Sequence, residues 1–195
     1  LPTHTLLLTG VIFNAFCFAI ILFINSIVTI QQVHQIIFFL VGSLATESYY
    51  RIGITAIFVG IGFFILMFSA GKMNALSLGD ETALQLGVDV EPFRRLIFFA
   101  ASLMIGAVVS LCGLIGFVGL FIPHMVRLIW GPDHRLLIPA SALMGASFLT
   151  LSDTLARTVL ASSAYQTELP VGVITALMGG PFFVYLLKKQ QRSVL

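Results

Sequence analysis

Few residues in this sequence have side chains that could carry out chemistry. Histidine and cysteine occur six times among 195 residues and are scattered along the chain: His4, Cys17, His34, Cys112, His124 and His134. A metal site needs three or four such ligands, some of them closely spaced on one element. We therefore predict no metal site and no cofactor, and we interpret both cysteines as small buried apolar residues rather than a disulfide or ligand pair.

Sequence motifs of enzyme active sites are absent as well. The chain contains no Gly-x-x-x-x-Gly-Lys-Ser/Thr phosphate-binding loop, no His-Glu-x-x-His and no Gly-x-Ser-x-Gly. We therefore expect no enzymatic activity. Because 58% of the residues are hydrophobic, an enzyme that acts within a membrane, an intramembrane hydrolase, is the alternative function from another class. Its only ionisable residue at bilayer depth would be His124, which follows Pro123 and is interpreted as a polar residue packed between helices.

The longest segment rich in charged residues is 73–95, MNALSLGDETALQLGVDVEPFRR, with four acids and two arginines. Its middle contains residues that favour helix boundaries. Ser77 or Gly79 can cap a helix start, the acids Asp80 and Glu81 then fall in the first turn, and Gly87 favours an end. The pattern predicts a short helix within this segment.

That short helix would have a partly apolar surface, formed by Leu78, Ala83, Leu84 and Leu86. A helix of this length is not stable in isolation, so it must dock on something. The residues alone leave two interpretations open. The helix either packs on its own protein as an ordinary loop helix or binds a partner.

The composition places the rest of the chain in a membrane. Hydrophobic residues make up 58% of the sequence and charged residues 9%, against about 25% charged in typical soluble domains. The net charge of +2 is too small to imply a nucleic-acid partner. No stretch is polar enough to form a separate soluble domain, so residues 1–195 are predicted to be one membrane domain. The chain begins with Leu1, and we expect further sequence in front of it.

A membrane-spanning helix needs about 20 apolar residues. Six runs suit this requirement, at residues 5–30, 52–71, 93–113, 115–129, 136–152 and 169–187. A seventh apolar segment, 33–44, is too short to span and is predicted to lie at the membrane interface. The predicted fold is therefore an all-α integral membrane protein.

Arginine and lysine are distributed unevenly between the two sides of these spans. If both ends of the segment are cytoplasmic, eight cations face the cytoplasm and two, Arg51 and Arg157, face outward. The positive-inside rule favours this orientation. The eight inward cations are Lys72, Arg94, Arg95, Arg127, Arg135, Lys188, Lys189 and Arg192.

Glycines recur within the predicted spans, where small residues permit close helix contacts in lipid. They occur in three groups along the chain. We assign to helix packing Pro123, which would bend its helix, and the following glycines: Gly113, Gly116, Gly119, Gly172, Gly179 and Gly180. In a membrane the usual cost of glycine in a helix is offset by this packing.

Several long stretches resemble one family. GLIGFVGLFIPHMVRLIWGPDHRLLIPASALMGASFLTLSDTLAR and ELPVGVITALMGGPFFVYLL are similar to the C-terminal half of the permeases of FecCD-type ABC importers for iron-siderophores, haem and cobalamin. LSLGDETALQLGVDV resembles the cytoplasmic loop of that family, LLLTGVIFNAF its fifth transmembrane helix and FFLVGSL its short external helix, with Phe where Trp is common. The resemblance covers residues 6–187 in the correct order.

The resemblance implies a ten-helix permease of a bacterial or archaeal inner membrane. The permease would act as a homodimer surrounded by lipid, with an ATPase subunit beneath each copy and a substrate-binding protein above. The six predicted spans correspond to family helices five to ten, so helices one to four are absent from this sequence. The cargo, whether iron-siderophore, haem, cobalamin or an oxyanion, is not determined.

The resemblance also implies roles for individual residues. The segment 80–90 matches the family's coupling helices, which sit in a cleft of the ATPase, and Thr3 and His4 fall where the family has its cytoplasmic gate loop. For Thr3 and His4 a simple capping role is the alternative. The residues assigned to coupling are Leu78, Gly79, Asp80, Glu81, Ala83, Leu84, Leu86, Gly87 and Val88.

The first and last spans resemble the helices that line the family's translocation path. Asn14 would line that path or bond a neighbouring helix, and Thr175 would line it or bond its own backbone. Arg157 matches an arginine that can pair with a glutamate of the binding protein, and an internal pair with Asp153 is the alternative. A membrane scaffold that moves nothing is the remaining alternative function, since it would need no polar path.

Overall fold

A computed structural model describes residues 3–44, 48–161 and 169–192. Within these ranges the secondary structure is entirely helical, as predicted. Six longer helices and two short ones occur in the predicted order: α1 Thr3–Ile27, α2 Ile30–Val41, α3 Tyr49–Leu76, α4 Asp80–Gln85, α5 Val90–Cys112, α6 Val118–Trp130, α7 His134–Ala161 and α8 Val171–Arg192. The chain divides into two compact units, residues 1–40 and 41–195, which are described separately.

The first unit contains α1 and nearly all of α2. The part of α1 from Leu8 to Ile27 is long and apolar enough to cross a membrane, and most of its described side chains are exposed. α2 has only 12 residues. Its start is capped by Gln32, whose Oε1 accepts hydrogen bonds from the Thr29 N–H at 3.1 Å and from the Thr29 hydroxyl at 3.0 Å. α2 is therefore too short to span a bilayer, as expected for the predicted interfacial helix.

The second unit is a bundle in which α3 packs on α5 and α7, and α7 packs on α6 and α8. Successive long helices run in opposite directions. One end of the bundle holds α4, the end of α3, and the starts of α5 and α7; we call it the α4 end. The opposite end holds the segment 42–44, the end of α5 and the start of α8; we call it the Gly42 end.

Two apolar side-chain clusters hold this bundle together. One of them lies beside α4 and is described with that loop, and the other, between α6 and α7, centres on Ile122, Val126 and Leu137, all buried. Phe121 extends it towards α8, because its ring meets that of Phe182 edge-on with 4.5 Å between the ring centroids. His124, by contrast, is exposed, and it forms no hydrogen bond with any residue that the structure describes, so the interhelical packing predicted for it is not found among these residues.

By length and composition, α1, α3, α5 and α7 could each cross a membrane, whereas α6 and the described apolar part of α8, Val171–Phe182, are shorter. α6 differs from the prediction, since it begins only at Val118 and has 13 residues. At about 1.5 Å per residue it is roughly 20 Å long, against about 30 Å of bilayer core. The predicted span 115–129 is therefore helical only in its larger, later part.

The break before α6 coincides with two residues of positive φ and with contacts from the segment 42–44. Gly113 ends α5 with a φ of 71°, and Phe117 also has a positive φ, 67°, which is uncommon for a residue with a side chain. The chain around the break is held by other parts of the protein. The Cys112 carbonyl accepts a hydrogen bond from the Ser43 N–H at 2.9 Å, and the Leu114 carbonyl lies against Gly42. Such protection is what a membrane requires of non-helical backbone.

Five of the six glycines assigned to helix packing fall into two sets, and the sixth, Gly113, caps the end of α5. The backbone of Gly172 lies directly against the Val41 carbonyl, and Gly179 lies directly against the Phe117 side chain, so neither position has space for a Cβ atom. No atom of the described residues would lie within 4 Å of a Cβ at Gly116, Gly119 or Gly180. For these three glycines, helix packing stays a prediction that would require a surface outside these residues.

Candidate functional site

The loop that carries α4 is built as its sequence predicts. α3 ends at Leu76, and Gly79, with a φ of 108°, turns the chain into the six residues of α4. Asp80 and Glu81 occupy its first turn. Gly87, with a φ of 78°, then turns the chain towards α5. Both glycines lie in a backbone conformation that residues with a Cβ rarely adopt, so they define the shape of the loop.

One face of this loop is packed on the chain itself. Ala83 is fully buried, and Val88, Val90 and Phe93 form an apolar cluster with it that also contacts the last turn of α3. The Val88 N–H donates to the Ala83 carbonyl at 3.0 Å and ties the end of α4 into the cluster. Ala83 and Val88, which were grouped with the leucines as coupling residues, thus face the interior and hold α4 in place.

The opposite face of the loop is exposed and partly apolar. The exposed fractions of Leu78, Leu84 and Leu86 are 67%, 57% and 62%. Glu81 is also exposed, and within the described part of the chain it forms no ion pair. Three exposed leucines beside an acidic group, on a loop whose backbone is fixed, form a surface suited to contact with another protein.

Arg94 fixes the orientation of α4 relative to α5. One terminal nitrogen of its guanidinium group lies 3.0 Å and 3.2 Å from the two carboxylate oxygens of Asp80. Both side chains are more than half exposed, so the pair adds at most about 1 kcal/mol to stability. Its consequence is geometric, since the Asp80 carboxylate is already paired within the chain. The position of Asp80 in the first turn of α4 was predicted from the sequence, whereas its pairing with Arg94 was not.

A polar cluster joins the end of α3 to the start of α7. The Asn74 amide nitrogen donates to Asp133 Oδ1 at 2.6 Å, and Asn74 Oδ1 accepts from the His134 N–H at 2.9 Å. Asp133 also caps α7, because the Arg135 N–H donates to the same oxygen at 3.0 Å. The hydrogen bonds from Asn74 and Arg135 hold the pKa of the Asp133 carboxyl below its ordinary value, so it is charged at neutral pH.

The contact between Asp133 and Asn74 was not predicted from the sequence. Asn74 lies near the end of a helix that is otherwise largely apolar. An isolated amide at such a position was the one signal of this contact. Its partner is 59 residues away in sequence, so the pairing itself was not readable from the chain.

Arg157 lies at the opposite end of the bundle. Its Nε donates to the Asp153 carboxylate at 2.8 Å, which is the internal pair that the spacing of four residues predicts. A terminal nitrogen of the same guanidinium donates to the Leu44 carbonyl at 2.8 Å. Arg157 remains partly exposed while making both contacts. Docking of a binding protein through this arginine stays a prediction.

The residues assigned to the gate and pathway have different surroundings. Asn14 is exposed on α1 and forms no hydrogen bond within the described residues. Thr175 is fully buried, and its hydroxyl donates to the Gly172 carbonyl at 3.1 Å, which is the alternative that the sequence left open. Thr175 could line a pathway only if α8 moved to expose it. The side chains of Thr3 and His4 lie outside what the structure describes.

The chain was compared with known proteins. The model of the FecCD transport family matches residues 1–189. The chain is 43% identical to the cobalamin import system permease protein BtuC of Halobacterium salinarum, over all of this chain and 51% of that protein. It is 38% identical to the hemin transport system permease protein HmuU of Yersinia pestis, over 96% of this chain and 55% of that protein.

A solved structure supports the same relationship. It shows a metal-chelate type ABC transporter in an inward-facing conformation, and it matches with a TM-score of 0.85 and 32% identity over 96% of this chain and 59% of that one. The chain spans about half the length of the curated relatives it matches. With its long apolar helices and this similarity to membrane permeases, the chain is a multi-pass membrane protein that belongs to the FecCD transport family.

Proposed function

We propose that this chain is part of the transmembrane subunit of a binding-protein-dependent ABC importer. The subunit would form the path for an iron chelate, haem, cobalamin or a similar ligand and would be driven by separate ATPase subunits. One observation carries the proposal. α4 is held from behind by the buried cluster of Ala83, Val88, Val90 and Phe93, while Leu78, Leu84 and Leu86 remain exposed on its other side. A loop anchored in this way can transmit force from a partner that binds its exposed face.

Charge distribution supports a cytoplasmic position for the α4 end. The cations whose side chains the structure describes at that end are Lys72, Arg94, Arg95, Arg127 and Arg135. Arg157 lies at the Gly42 end. The positive-inside rule then places α4 on the side where ATP is available and Arg157 on the side from which a binding protein would deliver the ligand.

The proposed mechanism is alternating access. Closure of paired ATPase subunits around ATP displaces α4 in each of two permease copies, and the displacement reorients the helices around the path. On the outer side, a carboxylate of the binding protein would compete with Asp153 for Arg157. The relatives named above are described as importers of cobalamin and hemin, and we propose a ligand of this large, chelate-like class.

Glu81→Lys tests the ATPase contact. Glu81 is exposed and pairs with no residue that the structure describes, so reversing its charge removes no contact that anchors α4. We expect the ATPase subunit to bind the variant roughly five-fold more weakly, equivalent to about 1 kcal/mol. The measurement is binding of the purified ATPase subunit to the permease in lipid nanodiscs at two salt concentrations, and the difference should shrink at high salt.

Two matched variants make this test specific. Glu91→Lys reverses an exposed acid on α5, outside α4, and should leave ATPase binding unchanged. Asp80→Arg combined with Arg94→Asp exchanges the partners of the internal pair and should preserve α4 while altering the surface charge. Equal ATPase affinity for Glu81→Lys and the unmodified chain would count against α4 as the contact.

Asn14→Cys tests the path and separates a transporter from a scaffold. In a background with Cys17 and Cys112 replaced by alanine, Asn14→Cys should react with a membrane-impermeant maleimide in the assembled transporter. Phe16→Cys serves as its control, because two residues along a helix turn the side chain by about 200° onto the opposite face. Equal protection of both cysteines from the reagent would favour the scaffold.

A further inference from the structure

We propose that Asn74 locks the α4 loop to α7, so that α7 carries the displacement of α4 across the membrane to the start of α8. This inference rests on the proposed function. It concerns how a movement at the α4 end reaches the Gly42 end. Contact between α4 and an ATPase does not by itself explain that transmission. Three sets of hydrogen bonds, one at each end of α7 and one at the start of α8, carry the argument.

At the α4 end, Asn74 is bonded on both sides of its amide group. Its nitrogen donates to Asp133 Oδ1, so its oxygen is the acceptor for the His134 N–H and for the His134 ring nitrogen Nδ1 at 2.7 Å. This arrangement requires a proton on Nδ1. Asn74 lies in the last turn of α3, three residues before the loop into α4. The start of α7 is therefore hydrogen-bonded to α3, the helix that leads into α4.

These hydrogen bonds can transmit movement from α3 to α7 when the two helix ends are drawn apart as well as when they are pressed together. Apolar contacts resist compression but separate easily in tension, whereas hydrogen bonds to a carboxylate are directional and comparatively strong. Asp133 bonds both Asn74 and the Arg135 N–H within the first turn of α7. The Arg135 side chain also lies beside Gly71, one turn earlier on α3. Movement of the α3 end must therefore move the first turn of α7.

α7 is long enough to carry this movement to the other side. It has 28 residues, so it extends about 40 Å. Pro139 removes one hydrogen bond near its start, and the helix continues through it. Near its far end, Asp153 and Arg157 are paired, and Arg157 donates to the Leu44 carbonyl. The far end of α7 is thereby bonded to the segment 42–44.

The segment 42–44 is also hydrogen-bonded to the ends of two other helices. The Ser43 N–H donates to the Cys112 carbonyl at the end of α5, and the Gly42 carbonyl accepts from the Gly172 N–H at 3.1 Å at the start of α8. A continuous set of hydrogen-bonded elements thus joins α3, α7, the segment 42–44 and α8. α4 contacts α3 and α5 directly, and α3 both packs on α7 and is hydrogen-bonded to its start through Asn74.

Asn74→Leu in the assembled transporter tests the inference. We expect the ATPase subunit to bind normally and to hydrolyse ATP near the unmodified rate, while ligand transported per ATP hydrolysed falls at least about five-fold, the lower range of coupling between sites. Both quantities are measured in proteoliposomes. ATPase binding reports on the proposed function, and transport per ATP reports on the contact between Asn74 and α7, so the two can fail separately.

An exchange of partners provides the rescue. Asn74→Asp alone places two carboxylates together and should reduce transport per ATP, whereas Asn74→Asp with Asp133→Asn restores an amide opposite a carboxylate and should restore it. If Asn74→Leu fails to assemble, the comparison of Asn74→Asp with the exchange variant still tests the inference. Unchanged transport per ATP in Asn74→Leu, or equal impairment of Asn74→Asp and the exchange variant, would overturn the inference.

Discussion

Ala83→Asp should abolish assembly of the permease with its ATPase subunit while leaving the helical bundle folded. Ala83 is fully buried against Val88, Val90 and Phe93, whereas the exposed Lys72 lies outside this cluster, with its Nζ 5.9 Å from the centroid of the Phe93 ring. An unpaired buried carboxylate costs several kcal/mol, more than a short loop helix can compensate by its own contacts. α4 should therefore leave its site, and the exposed leucines would lose their fixed arrangement. Copurification of the ATPase subunit and transport activity are the measurements.

The matched control is Gln85→Asp. Gln85 lies on the same helix and is exposed, so the same new charge there is solvated and should have little effect on the helix. Circular dichroism of both purified variants should show an unchanged helical signal, since α4 contributes only six residues. Normal ATPase copurification by Ala83→Asp would show that the buried cluster does not hold the coupling surface in place.

Gly172→Ala should destabilise the bundle as a whole. A Cβ atom at this position would overlap the Val41 carbonyl, and the chain cannot shift away without losing the bond from the Gly172 N–H to the Gly42 carbonyl. Overpacking alone typically costs about 1–3 kcal/mol, and a backbone group left without a partner in a membrane adds to that cost. Unfolding in detergent mixtures, followed by circular dichroism, should show the loss directly.

Gly180→Ala on the same helix is the control with the opposite sign. No atom of the described residues lies near its Cβ position, so the substitution should raise stability by up to about 1 kcal/mol through helix propensity. If Gly172→Ala and Gly180→Ala unfold alike, the close approach of α8 to the Val41 carbonyl is not a determinant of the fold. A loss confined to Gly180→Ala would instead indicate packing against a second copy.

Features that depend on local physics could be predicted from the amino-acid sequence. The number, order and approximate extent of the helices follow from the length of apolar runs, because a bilayer core requires about 20 apolar residues of helix. The boundaries of α4 were also predictable, since Gly79 and Gly87 permit backbone angles that other residues avoid and the acids Asp80 and Glu81 favour a helix start. The pair of Asp153 and Arg157 follows from helical spacing in the same way.

Other features were decided by contacts between distant parts of the chain. The sequence grouped Ala83 with the leucines of α4, and only the position of α3 and α5 showed which of these residues face inward. The late start of α6 depends on Ser43 and Gly42, which protect the backbone around residues 113–117. Periodicity within the segment contains no information about that protection.

The same reason applies to the hydrogen bonds at the two ends of α7. Asn74 bonds to Asp133, which is 59 residues away in the sequence, and Arg157 bonds to the carbonyl of Leu44, which is 113 residues away. A propensity or a spacing describes neighbours within a few turns, whereas these partners meet only after the helices have packed. The sequence therefore predicts which elements form and, except at the start of α6, roughly where they begin and end. Which polar groups meet at those ends depends on the relative positions of the packed helices, so it could be seen only in the folded chain.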